Sequence, residues 1–258
     1  MCVLKVDGLT AGYGRVPVIS DVCLEARVRQ VVAIVGPNGA GKSTAMKATF
    51  GLVNRDAGTV LLDQADITRL RANEVARAGM AYVPQVENVF AAMTVEENLE
   101  LGALVNRRNH DARRSEVFDL FPDLATARRR RAGLLSGGQR NMLGMARALM
   151  SDPKVILLDE PTAGLSPANV DVVWAQVRRI AELGTSVVVV EQNVDRALQC
   201  ADWVYILVGG RNHEAGTPAR LAELDLAAIF LGASDRAGSR TDARIDGRGA
   251  RTGHMASP

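Results

Sequence analysis

A short apolar run, Val31-Val32-Ala33-Ile34-Val35, leads directly into GPNGAGKS at residues 36–43, and Thr44-Ala45-Met46-Lys47-Ala48-Thr49-Phe50 follows before Gly51. The run is rich in β-branched residues and reads as a buried strand; the segment after the loop reads as a helix stopped by glycine. Gly36, Gly41, Lys42 and Ser43 occupy every fixed position of the phosphate-loop pattern, and the strand before and helix after are the context that gives that pattern meaning. Glycines let successive backbone N–H groups curl around phosphate oxygens, and the helix N-terminus adds positive potential. Lys42 is then placed to reach the outer phosphates and Ser43 to ligate Mg²⁺. A chain built this way is committed to an α/β fold with a parallel sheet and a nucleotide at the sheet's edge.

A second apolar run, Val155-Ile156-Leu157-Leu158, is introduced by Pro153 and ends in Asp159-Glu160 before Pro161. Continuous apolar character fits a strand covered on both faces of a parallel sheet, which puts both carboxylates at the sheet's carboxyl edge. Asp159 there suits the shell of Mg²⁺, and Glu160 suits a base that orients or deprotonates water. Between the two runs lies Leu135-Ser136-Gly137-Gly138-Gln139, followed by Met142, Ala146, Leu149 and Met150 at helical spacing. Ser136 is the expected N-cap of that helix. A helix end of this kind binds anions, and a second one is redundant for one nucleotide in one subunit. It becomes useful if it completes the site of another subunit.

These three segments, residues 36–44, 135–139 and 155–160, resemble the Walker A, signature and Walker B motifs of ATP-binding cassette (ABC) ATPases. The resemblance covers the chain to about residue 232. It implies a P-loop NTPase fold: a mostly parallel sheet, an N-terminal antiparallel β platform, and an inserted helical subdomain at about residues 86–150. It further implies ATP and Mg²⁺ as cofactors. Gly36, Pro37, Asn38, Gly39, Ala40, Gly41, Lys42, Ser43 and Thr44 would hold the phosphates, with Ser43, Asp159 and Gln85 at the metal. Tyr13, in Ala11-Gly12-Tyr13-Gly14, resembles the aromatic that stacks on adenine, and Gln85, in Val83-Pro84-Gln85, the glutamine that touches the metal and senses a membrane partner. Ser136, Gly137, Gly138 and Gln139 would close on the nucleotide of a second ABC ATPase, homologous or identical, in a head-to-tail pair. Residues 163–167 occupy the loop that crosses such a dimer interface.

The strand Val187-Val188-Val189-Val190 runs into Glu191-Gln192-Asn193, where most ABC ATPases carry a histidine that contacts the γ-phosphate. Gln192 takes that place. An amide can donate a hydrogen bond to phosphate but cannot carry imidazole's proton or charge, so Glu160 is left as the main base, with Gln192 beside it as the second catalytic candidate. Residues 191–193 together with 93–99, 144–150 and 164–167 are similar to the smaller ATP-binding subunit of branched-chain amino acid importers. That resemblance implies membrane permeases as partners, an extracytoplasmic solute-binding protein acting indirectly, and a cytoplasmic place on the inner face of the cell membrane. ATPases of urea or amide importers, of lipopolysaccharide exporters, and non-transport ABC mechanoenzymes stand as alternatives; a P-loop kinase leaves residues 135–139 unexplained.

Composition agrees. Among 258 residues, 47% hydrophobic, no apolar run approaches the ~18–20 residues of a membrane span, and charge breaks the first residues too early for a signal peptide. Three scattered cysteines indicate neither a disulfide framework nor a zinc site, which fits a reducing compartment. A net charge of +2 and 4% aromatic residues give little basis for nucleic-acid binding. Arg107-Arg108, Arg113-Arg114 and the run Arg128-Arg129-Arg130-Arg131 form basic clusters, read either as a solvated helix face or as contact with anionic headgroups or acidic loops. Residues 3–24 read as short strands, 58–62, 80–83 and 202–208 as further strands, and 167–183 as a long helix. The expected domain spans residues 1–232, and residues 233–258, nearly without large apolar side chains, read as a flexible tail.

Overall fold

The computed structural model describes residues 1–106 and 109–230. The chain divides into two compact units, Met1–Leu224 and Asp225–Pro258. In the second, α10 (Leu226–Phe230) follows a cap in which Ala228 N–H donates to the Asp225 carboxylate. The tail at 233–258 and the Arg107-Arg108 pair lie outside the described residues.

The first unit begins with β1 (Cys2–Gly12) and β2 (Ile19–Arg27), which pair antiparallel. β3 (Val31–Val35) is buried at every residue, and α1 (Lys42–Phe50) leaves it through the glycine loop. β4 (Asn54–Leu62) and the two-residue β5 (Ala65–Asp66) return to the first sheet, whose order is β2-β1-β4-β5. Residues 3–24 thus form two long strands where short ones are expected from the sequence. β1 is paired along both edges, and ladder irregularities near Gly8 let it run on through its polar stretch.

After α2 (Ala72–Ala78) and β6 (Met80–Val83) the chain becomes helical. α3 (Val95–Ala103), α4 (His110–Leu120), α5 (Pro122–Thr126), a 3-10 turn (Ala132–Leu134) and α6 (Gly137–Leu149) make the insert. Thr94 caps α3 reciprocally: its hydroxyl accepts from Glu97 N–H at 3.2 Å while its own N–H donates to the Glu97 carboxylate at 2.7 Å. Arg113 pairs with Glu116 and Asp152, and Arg114 with Asp111. Arg113 also donates to the Leu149 carbonyl and Arg114 also pairs with Glu96 of α3, so this part of the basic cluster is half-buried and ties α4 to its neighbours.

The parallel sheet resumes with β7 (Val155–Asp159), α7 (Pro167–Glu182), β8 (Ser186–Glu191), α8 (Val194–Cys200) and β9 (Trp203–Val208), and the antiparallel β10 (Arg211–Gly216) and α9 (Pro218–Leu221) follow. The six-stranded order is β10-β9-β3-β8-β7-β6, with every pair from β9 to β6 parallel. Met46 of α1 belongs to one buried cluster with Leu4, Leu9 and Ile19 of the first sheet and Val32, Leu157 and Val188 of the second. Parallel neighbours end on the same side, so the segments after β3, β8, β7 and β6 all emerge at one edge. That topology collects residues far apart in sequence into one site.

Candidate functional site

The loop after β3 is held by contact rather than by glycine content alone. Gly36 has φ 155°, and a Cβ there would lie 2.1 Å from the Leu207 carbonyl oxygen of β9. The loop can pass over the sheet edge only without a side chain at this position. Asn38, Gly39, Ala40, Gly41, Lys42, Ser43 and Thr44, with Val18 and Glu160, line a cleft of about 190 Å³. Lys42 is 5% exposed, and its ammonium donates to the carbonyls of Gly36 at 2.8 Å and Pro37 at 3.0 Å. Burial pushes this ammonium below the usual lysine range, against the opposing pull of Glu160, Asp159 and Glu191.

Asp159 ends β7 with both oxygens engaged. Oδ1 accepts from the Ser43 hydroxyl at 2.8 Å and Oδ2 from the Tyr82 hydroxyl at 2.9 Å. Burial, and then the Asp159 carboxylate, keep Tyr82 well above its ordinary pKa, so it remains a donor. Glu160 follows with a left-handed backbone, φ 48°, and a side chain 8% exposed in total residue surface. Its Oε2 accepts from the Gln85 amide at 2.8 Å and from the Gln192 amide at 2.7 Å. Gln85 comes from the loop after β6 and Gln192 from the end of β8, so three neighbouring strands converge on one carboxylate oxygen.

Glu191, one residue before Gln192, is buried and accepts from the Thr162 hydroxyl at 2.7 Å and the Thr162 N–H at 3.3 Å. Burial, with the Glu160 charge adding to it, pushes Glu191 up to about 7 despite those hydrogen bonds. The consecutive residues Glu191 and Gln192 thus bond Thr162 and Glu160 of the same turn.

Two groups of expected site residues stand apart from this cleft. Tyr13 is exposed in the turn after β1 and is not among the cleft's lining residues, where Val18 is found instead. Ser136 caps α6: its hydroxyl accepts from Gln139 N–H at 3.2 Å, and the Gln139 side chain accepts from Ser136 N–H at 3.1 Å. Ser136, Gly138 and Gln139 line a separate cleft of about 440 Å³ that shares no residue with the phosphate-loop cleft. Gly137 opens the same helix.

The ABC transporter family pattern matches residues 19–163. A probable branched-chain amino acid transport ATP-binding protein of Archaeoglobus fulgidus is 41% identical over 222 residues, covering 85% of this chain and 94% of that protein. The chain belongs to the ABC transporter ATPase family. A lipopolysaccharide export system ATP-binding protein of Haemophilus influenzae is 33% identical over 237 residues, covering 90% of this ABC chain and 98% of its own. The crystal structure of an ABC transporter cassette in its ADP conformation superposes with a TM-score of 0.81 at 26% identity, over 90% of this chain and 99% of that one. The protein is thus an ABC ATPase that binds nucleotide and hydrolyses ATP.

Several groups at the site of this ABC ATPase carry no signal in the sequence. Tyr82 and Asp159 are 77 residues apart, and Thr162 and Glu191 are 29 apart. Tyr82 reads only as one more aromatic of a strand, and Glu191 as a charge at a strand end. Each acquires its partner through the parallel register of β6, β7 and β8.

Proposed function

We propose that this ABC ATPase powers an importer of branched-chain amino acids, acting from the cytoplasmic face of the membrane through permease subunits and paired with a second ABC ATPase. The observation that carries the paired arrangement is the separation of the two anion-binding helix ends. The phosphate loop and the capped N-terminus of α6 line different clefts of one chain, so each finds its complement in another subunit. In this reading residues 36–44 hold the phosphates of one ATP, Tyr13 stacks on its base, and Ser136, Gly137, Gly138 and Gln139 of the partner subunit's equivalent helix end close the other side.

Ser43, Asp159 and Gln85 provide a hydroxyl, a carboxylate and an amide oxygen, a hard-donor set suited to Mg²⁺. Bound there, Mg²⁺ would neutralise charge on the phosphate oxygens. Glu160, buried and held at Oε2 by two amides, orients the attacking water and takes up its proton. Gln192 positions Glu160 and offers an amide, not a proton, toward the outer phosphate. No helix among the described residues is long and apolar enough to cross a membrane; in this reading the transport path belongs to the permeases, and an extracytoplasmic solute-binding protein supplies them.

The higher identity to the branched-chain relative than to the lipopolysaccharide one, 41% against 33%, and the Glu191-Gln192-Asn193 string support the importer over the exporter. The test is purification of the chain from detergent-solubilised membranes of its native host, with leucine, isoleucine and valine uptake measured after its deletion. Co-purifying permeases, a second ABC ATPase and lost uptake are expected. Lipopolysaccharide-export permeases with intact uptake would overturn the cargo, and soluble ribosomal or DNA-repair partners would overturn transport.

A further inference from the structure

We propose that Asn141 is a positioning residue that ties the helix capped by Ser136 to the chain's own Glu160 turn, with Asn88 holding it in orientation. This deepens the reading given above and rests on it, because it takes Glu160 as the base and the N-terminus of α6 as the end that meets a partner's nucleotide.

Glu160 sits at φ 48°, a left-handed backbone that a non-glycine residue keeps only when its surroundings enforce it. Two restraints come from β8 beside it: Glu160 N–H donates to the Val190 carbonyl at 3.0 Å, and Glu191 accepts from Thr162 N–H at 3.3 Å. A third crosses from the helical insert. Asn141 of α6 donates through Nδ2 to the Pro161 carbonyl at 2.7 Å, the carbonyl of the residue that follows Glu160.

An asparagine amide can present either its donor or its acceptor, so the direction of Asn141 has to be set by a neighbour. Asn88 sets it by donating through Nδ2 to Asn141 Oδ1 at 2.9 Å. Asn88 is 7% exposed, and α6 makes room for it with Gly144, where a Cβ would stand only 3.2 Å from Asn88 Cβ. Asn88 is buried and Asn141 half-buried, and the Asn88 amide holds the Asn141 oxygen so that the Asn141 Nδ2 faces Pro161; a directed bond of this kind transmits displacement between the elements it joins. Asn88 lies three residues after Gln85, whose amide reaches Glu160 Oε2 directly. The loop after β6 therefore acts on the Glu160 turn by two routes, one through Gln85 and one through Asn88 and Asn141.

Ser136 is five residues before Asn141 on the same helix, about 7.5 Å along its axis. A shift of α6 when its N-terminus closes on a partner's nucleotide is delivered at Asn141 to the peptide beside this chain's own base. The state of one site is thereby felt at the other.

The test compares Asn141→Ala, Asn88→Ala and the double variant in the assembled complex, measuring kcat, KM for ATP, the Hill coefficient and the thermal midpoint. Loss of the restraint should lower kcat roughly 10- to 100-fold by misplacing the base, while KM and the midpoint stay near wild type and the Hill coefficient falls toward one. Asn88→Ala should act in the same direction but less, and the double variant should be no worse than Asn141→Ala. A kcat within twofold of wild type overturns the proposal. So does a loss of kcat matched by an equal loss of ATP affinity or folding stability, or a double variant whose effects multiply. Glu160→Gln run alongside separates the layers. If it abolishes turnover while Asn141→Ala does not, the coupling alone falls; if it turns over like wild type, the reading beneath falls with it.

Discussion

At the scale of single residues, the site is organised around two adjacent carboxylates with different surroundings. Asp159 accepts one hydroxyl bond on each oxygen, whereas Glu160 keeps one oxygen outside its two amide bonds. In the proposed reading, replacing Glu160 by Gln removes the proton acceptor and leaves the phosphate loop intact. The expected result is MgATP binding near wild type with turnover reduced roughly 10²- to 10⁴-fold, read from nucleotide binding and phosphate release on the same preparation. Glu191 offers a pH test with a defined sign. Its pKa is raised from 4.5 to about 7 by burial, so between these values the folded protein holds a proton the unfolded chain has released. Stability contributed by that proton is present below pH 4.5 and is lost as pH rises through about 7. Glu191→Gln cannot titrate, so its stability relative to wild type should grow by roughly 1–3 kcal/mol between pH 5 and 8. Urea midpoints at the two pH values would show it, and a gap that does not change with pH would contradict the assignment.

At the scale of elements, local signals were legible where the chain makes its own contacts. The capping box at Thr94 and Glu97 is visible as Thr94-Val95-Glu96-Glu97 and is observed with both bonds made. Thr94→Ala should therefore destabilise the protein by about 1 kcal/mol, a shift in the urea midpoint without a change in slope. Ser136 and Gln139 form the same local device at α6. Elements whose limits depend on pairing were less legible. β1 extends from Cys2 to Gly12 because β2 and β4 hold it on both edges, although Lys5 and Asp7 interrupt its apolar pattern. The short α2 carries only Val75 as a buried residue, too weak a period to announce a helix.

At the scale of the whole molecule, the functional unit is larger than one chain if the two helix ends serve different nucleotides. The expected behaviour of Glu160→Gln is a shift to twice the mass, or to a pair with the second ATPase subunit, when MgATP is added. Lys42→Ala should abolish that shift, since in the proposed reading the ammonium that would reach the phosphates is gone. Light scattering on both variants, with and without nucleotide, checks this; association that ignores ATP would argue against the composite site.

The sequence by itself determined the identity of the phosphate loop, the acidic pair, the α6 cap and the α/β architecture, because each rests on residues within a few positions of one another. The strand order β10-β9-β3-β8-β7-β6 was decided only by the tertiary structure. So were the bonds it creates, Tyr82 to Asp159, Gln85 and Gln192 to Glu160, Glu191 to Thr162, and Asn141 to Pro161. The physical reason is that parallel neighbours in a sheet are separated along the chain by at least a crossover connection of a dozen or more residues, so the groups that meet at its carboxyl edge leave no common pattern in any one stretch of sequence.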